Sequence, residues 1–139
     1  MSVADSPFDS AWKVAKAPFY HSVNTDTSDP EVADKLFRLR DELMAEGIRY
    51  RSQQDTRRSA RAFREAIALR PDQPNAYFNL GTALNDSGHY MEATQRFLEA
   101  RERYPVGSED WAQATAQAFN ALIQEVCAEV AKPEWWNDE

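Results

Sequence analysis

The sequence predicts an all-α fold of stacked antiparallel helix hairpins. Three observations carry that expectation. Between Asp72 and Tyr104 apolar and small residues recur with helical period, and one polar break, Asn85-Asp86-Ser87-Gly88, divides the stretch into two helices of about 14 residues each. The hairpin then recurs: a shift of 34 residues places Gly81 on Gly47, Leu84 on Tyr50, Ala93 on Ser59, Phe97 on Phe63, Glu99 on Glu65, Ala100 on Ala66 and Pro105 on Pro71. Strand signals are absent, with no sustained alternation of β-branched residues and no Asn-Gly hairpin turn.

The elements follow in order. The N-terminal segment, 1–27, reads as weakly structured, yet Phe8, Trp12, Val14, Phe19 and Tyr20 are more aromatic than a disordered tail would be. It either packs these side chains on the first hairpin or lies in the protein's own groove. The helical domain is expected over 28–139. Ser28 and Glu31 fit a capping box, with Pro30 in the first turn. An apolar stripe of Leu36, Leu39, Leu43, Ile48 and Tyr50 carries this helix to about Arg51. A turn at Gln53-Gln54-Asp55 leads into a helix from Thr56 to Leu69.

The next pair is expected from Asp72 or Gln73 to Asn85 and from His89 to Arg103. In this pair Tyr77, Leu80, Gly81 and Leu84 form one apolar or small face, and Ala93, Phe97, Leu98 and Ala100 the other. Gly47 and Gly81 allow the two helices of each hairpin to approach, Phe63 and Phe97 fill the space beside them, and Pro71 and Pro105 stop the second helices. Ser108 caps a last helix, with Glu109 and Asp110 in its first turn, where negative charge suits the helix dipole. That helix should run about two turns past the place where the 34-residue frame puts a turn. Lys132-Pro133-Glu134-Trp135-Trp136 reads as a further helix start, which either folds back as a cap or leads into more chain; continuation is the preferred reading.

The second copy, with Tyr77, Leu80-Gly81, Leu84, Ala93, Phe97, Ala100 and Pro105, resembles the tetratricopeptide repeat. The first copy keeps Leu43, Gly47, Tyr50, Phe63, Ala66 and Pro71, but has Glu46 where an apolar residue is usual and Ser59 where alanine is usual. A degenerate third copy keeps Trp111, 34 residues after Tyr77, but has Thr115 in place of the glycine. The resemblance implies a right-handed solenoid with repeats at about 40–73, 74–107 and 108–139. It covers roughly Leu36 to Val130.

Composition narrows the function. The net charge of -7 argues against a general nucleic-acid binder. No apolar run approaches membrane-spanning length, and Met1 to Ser10 lacks the order of a secretion signal, so cytoplasmic is the default compartment. Cys127 is the single cysteine. His21 and His89 lack the helical partner of a metal pair, and no phosphate loop or nucleophile elbow is present. The expectation is therefore a protein that is no enzyme and needs no cofactor.

What remains is a surface. The resemblance assigns the concave face to the first helix of each repeat. In the first copy these positions are Asp41, Met44, Ile48, Arg51 and Ser52; in the second Asn75, Phe78, Asn79, Thr82 and Asn85; in the third Glu109, Ala112, Gln113, Ala116 and Asn120. Carboxamides both donate and accept, so Asn75, Asn79, Asn85, Gln113 and Asn120 suit the backbone of an extended peptide. Met44, Ile48 and Phe78 suit one apolar side chain. The carboxylate clamp of co-chaperone members is matched only at Asn79. Met44, Ile48, Glu109 and Gln113 replace its other residues, so an acidic chain terminus is not the expected ligand.

The expected partner is a protein or peptide, with no nucleic acid and no membrane. Three alternatives remain at this stage: the interaction arm of a larger enzyme or assembly, a subunit whose groove is filled by its own N-terminus or by a second copy in a homodimer, and a degenerate chaperone adaptor. Charge is divided along the chain. Basic residues prevail from Glu31 to Arg70, and acids outnumber bases threefold from Pro71 onward. Arg57, Arg58, Arg61 and Arg64 form a run read as a solvated convex face.

Overall fold

A computed structural model describes residues 29–130, which form five α-helices: α1 Pro30–Ser52, α2 Thr56–Leu69, α3 Pro74–Asp86, α4 Tyr90–Arg103 and α5 Glu109–Glu129. Each helix packs against the next in the chain. Among the described residues there is no strand. Neighbours in sequence are neighbours in space, as in a helical repeat. The readings of 1–27 and of Trp135 and Trp136 lie outside the described residues.

The N-cap of α1 is Asp29, not the expected Ser28: its Oδ1 accepts from the Glu31 N–H at 2.9 Å. Pro30 explains the difference. A residue before proline is driven into extended backbone, which is what an N-cap requires, and Asp29 has φ -74° and ψ 115°. Asp55 caps α2 through the Arg58 N–H, and Ser108 caps α5 through the Trp111 N–H.

Both hairpins close on a glycine. A Cβ added to Gly47 would lie 2.5 Å from Cε1 of Phe63, and one at Gly81 would lie 2.9 Å from Cδ1 of Phe97. The two rings are 0 % and 1 % exposed, so neither can swing out of the way. Around them lie Leu43, Ala66, Tyr77, Leu80, Leu84, Ala93 and Ala100. The first copy's departure at Ser59 has a physical reason. Its buried hydroxyl donates to the Gly47 carbonyl at 2.7 Å, fastening α2 to α1 where the second copy relies on the Ala93 methyl group.

The two hairpin turns are the same structure. The Asp55 and His89 N–H groups donate to Tyr50 O and Leu84 O, both at 2.9 Å. Gln54 and Gly88 precede them with φ +61° and +83°. The 34-residue offset thus extends to backbone hydrogen bonds and to the left-handed residue itself.

Of the residues read on apolar faces, Leu39 and Leu98 are exposed, a correction, and so is Ile48, as its expected place in the groove requires. Ile48 and Leu98 follow the buried Gly47 and Phe97 by one residue, which turns them about 100° from the packed face. Leu39 lies towards the N-terminal part of α1, which has 23 residues against 14 in α2 and so extends past its cover.

The last helix is as long as expected, with 21 residues against 13 in α3. It packs on α4 through Ala114, Ala118 and Ala121. Arg101 of α4 fastens it, donating to Thr115 Oγ1 at 2.8 Å with its guanidinium 4.6 Å from the Trp111 ring centroid. Thr115, which occupies the glycine position, therefore receives a polar contact instead of an aromatic ring.

Candidate functional site

Helices α1, α3 and α5 share one side of the stack. Met44 and Ile48 come from α1, Asn75, Phe78 and Asn79 from α3, and Asp110 and Gln113 from α5. With Tyr104, which follows α4, they line a groove of about 330 Å³. The local causes are simple. Met44 and Ile48 flank the buried Gly47 by three residues and one, and Asn75 lies one helical turn before the adjacent Phe78 and Asn79 on α3.

Phe78 is held in place. Its ring meets Phe97 edge-on, with centroids 5.3 Å apart and planes at 66°. Burying an edge-on aromatic pair stabilises it beyond its area alone, by about 1 kcal/mol. The floor of the groove is therefore continuous with the core ring that closes the second hairpin. On the opposite side the Tyr104 hydroxyl donates to Asn75 Oδ1 at 2.7 Å. Burial pushes the Tyr104 hydroxyl above its usual pKa, and the Asp110 carboxylate adds to the effect. That bond occupies Asn75 Oδ1, but leaves its NH₂ group to donate elsewhere.

Six of the ten sequence-predicted positions meet at this groove: Met44, Ile48, Asn75, Phe78, Asn79 and Gln113. The other four are placed differently. Arg51 makes an ion pair with Asp86 of α3 at 2.8 Å, tying one hairpin to the next. Thr82 donates back to the Phe78 carbonyl at 3.1 Å, so its hydroxyl serves its own helix. Asn85 has a buried Oδ1 with no hydrogen-bond partner. Asn120 is exposed on α5, beyond the groove lining.

Tyr104 and Asp110 were not anticipated. Tyr104 lies at the exit of α4, outside the first-helix register used to choose groove positions. The sequence places Asp110 in the first turn of α5, where it suits the helix dipole, a role compatible with a place in the groove.

Residues 47–88 match the family model for the TPR, or tetratricopeptide, repeat. The match spans α2 and α3 whole and ends at Gly88, the left-handed turn residue. That match and the five-helix stack support a tetratricopeptide assignment. Comparison with the curated proteins gave no match. Tetratricopeptide repeats are generally non-catalytic modules for protein–protein interaction, and the arrangement of α1, α3 and α5 agrees with that role.

The convex side of the tetratricopeptide stack differs from a uniform solvated face. Arg58 and Arg61 are exposed and lie near Asp55 and Glu65, at 3.5 and 3.6 Å. The Arg58 guanidinium also lies 5.7 Å from the Tyr50 ring centroid. Arg64 is half-buried, and desolvation lowers its pKa. Arg96 of α4 is 2 % exposed and pairs with Glu99 at 3.2 Å. Arg64 of the run is therefore partly withdrawn from water and feels the charges of Glu92 and Arg96 on α4. Among the described residues no three His, Cys, Asp or Glu side chains converge as metal ligands, and no helix is long and apolar enough to cross a membrane.

Proposed function

We propose that this protein is a non-catalytic scaffold that holds an extended peptide or partner segment in the groove between α1, α3 and α5. The observation that supports the reading is the division of the groove lining by chemistry. Met44, Ile48 and Phe78 offer an apolar seat, and Asn75, Asn79 and Gln113 offer amides beside it. An extended peptide has the complementary pattern, with one side chain to bury and backbone groups that need partners once desolvated. Phe78 is held by Phe97, so the seat is formed before the ligand arrives, which lowers the ordering cost of binding.

The test is a peptide-array screen with the full chain, followed by titration of any binder against Phe78→Ala and Asn79→Ala. Phe78→Ala should weaken binding by roughly tenfold or more, the expected result of truncating a buried aromatic anchor. Asn79→Ala should weaken it by about threefold to tenfold. Circular dichroism should show both variants folded. Binding that is indifferent to both substitutions would remove the groove from the account.

A further inference from the structure

We infer that the groove selects segments in which an apolar residue is accompanied by lysine or arginine, and disfavours acidic ones. This inference rests on the reading of the groove as a peptide site and adds the charge of the ligand. Asp110 is the one carboxylate among the eight lining residues, and none of the eight is Lys or Arg. Arg51, whose position on α1 would have brought a cation to this face, is paired with Asp86. The groove therefore has an apolar region at Met44, Ile48 and Phe78, neutral amides, and one anionic position at the start of α5.

The surroundings point the same way. From Pro71 onward acids outnumber bases threefold, so the half of the chain that supplies α3, α4 and α5 attracts cationic segments at long range. An acidic segment would meet Asp110 with no cation in the lining to offset it. Like-charge contact of that kind is a common source of discrimination between similar ligands. Tyr104 contributes to geometry: its hydroxyl holds Asn75 Oδ1, so the amide beside Asp110 presents its donors in a fixed place.

The experiment uses the full chain and three fluorescent peptides of about ten residues. Each carries one leucine in a Ser/Gly background, flanked on both sides by lysine, by serine or by glutamate. Fluorescence anisotropy is measured at low and at physiological salt. The expected order is lysine tightest and glutamate weakest, with about threefold to tenfold between neighbouring members at low salt and a smaller spread as salt rises. Asp110→Asn should erase most of the lysine preference, and Asp110→Lys should reverse it. Thermal unfolding checks that neither change disrupts α5.

Equal binding of the three peptides, a preference for glutamate, or an undiminished lysine preference in Asp110→Asn would overturn the inference. If such binding is still lost in Phe78→Ala, the groove remains a peptide site and only its charge selectivity is wrong. Absence of any binding that depends on Phe78 removes both readings.

Discussion

Gln54 and Gly88 occupy the same place in successive repeats, and both have positive φ. Glycine adopts that backbone without penalty, whereas an L-residue with a Cβ is strained by about 1–2 kcal/mol. The first turn is therefore less well matched to its backbone than the second. Gln54→Gly should stabilise the fold by up to about 1 kcal/mol once glycine's greater freedom in the unfolded chain is subtracted. Thermal unfolding of the variant should show a rise of a few degrees. An unchanged or lowered Tm would mean that the Gln54 side chain compensates its own strain. The sequence carried the relation between these positions, since the 34-residue offset pairs Gln54 with Gly88. It did not carry the φ value, because glutamine is no signal for left-handed backbone. Ser59 is a similar case: it broke the alanine pattern, and only the Gly47 carbonyl at 2.7 Å shows why a hydroxyl suits the position.

At the scale of the elements, the loop between α2 and α3 is held from α3 and α4. The Pro71 carbonyl accepts from the Tyr77 hydroxyl at 2.7 Å and from Arg103 Nε at 2.9 Å, and the Arg103 guanidinium lies 4.2 Å from the Tyr77 ring centroid. Burial raises the Tyr77 pKa, with Arg103 partly opposing the shift. A tyrosine whose folded pKa is raised ionises first in the unfolded chain. Its neutral form therefore supports the fold fully below the unfolded value of about 10, and that support fades as pH rises through the folded value. Stability should fall above about pH 10, with Tyr104 contributing in the same direction. Chemical denaturation across alkaline pH should show a shallower fall in Tyr77→Phe, which retains the ring but not the ionising group. An equally steep fall would assign the alkaline loss to other groups.

Element boundaries were legible because they have local causes. Thr56–Leu69 appears as expected, and α3 and α4 lie within two residues of expectation at each end. Proline, the polar turn and Ser108 act on their own neighbours. Exposure was less legible. Leu98 and Ile48 are apolar, but one residue out of phase with the buried face. On α5, Phe119, Leu122, Ile123 and Val126 are exposed, as is Val130 just past its end. Which side of such a helix is covered depends on α4, and no residue of α5 encodes that alone.

Across the whole molecule, the repeat brings α1, α3 and α5 to one side, and with them six residues chosen from the resemblance. The register found those because a repeat fixes the first helices relative to one another. It missed Tyr104, which enters the groove from the end of a second helix, and it did not foresee that Arg51 would be paired across repeats. The acidic half of the chain and the amide-lined groove are consistent with a neutral or cationic protein partner. On the proposed reading, function resides in that surface and not in the fold as such.

The most direct measurement is an amide chemical-shift map of the isotope-labelled full chain, recorded while the leucine–lysine peptide is titrated in. The account predicts saturable shifts concentrated at Met44, Ile48, Asn75, Phe78, Asn79, Tyr104, Asp110 and Gln113, with the convex arginines of α2 quiet. Shifts centred on Arg57, Arg58 and Arg61, or on the exposed apolar side of α5, would contradict it and move the binding surface to another face of the stack.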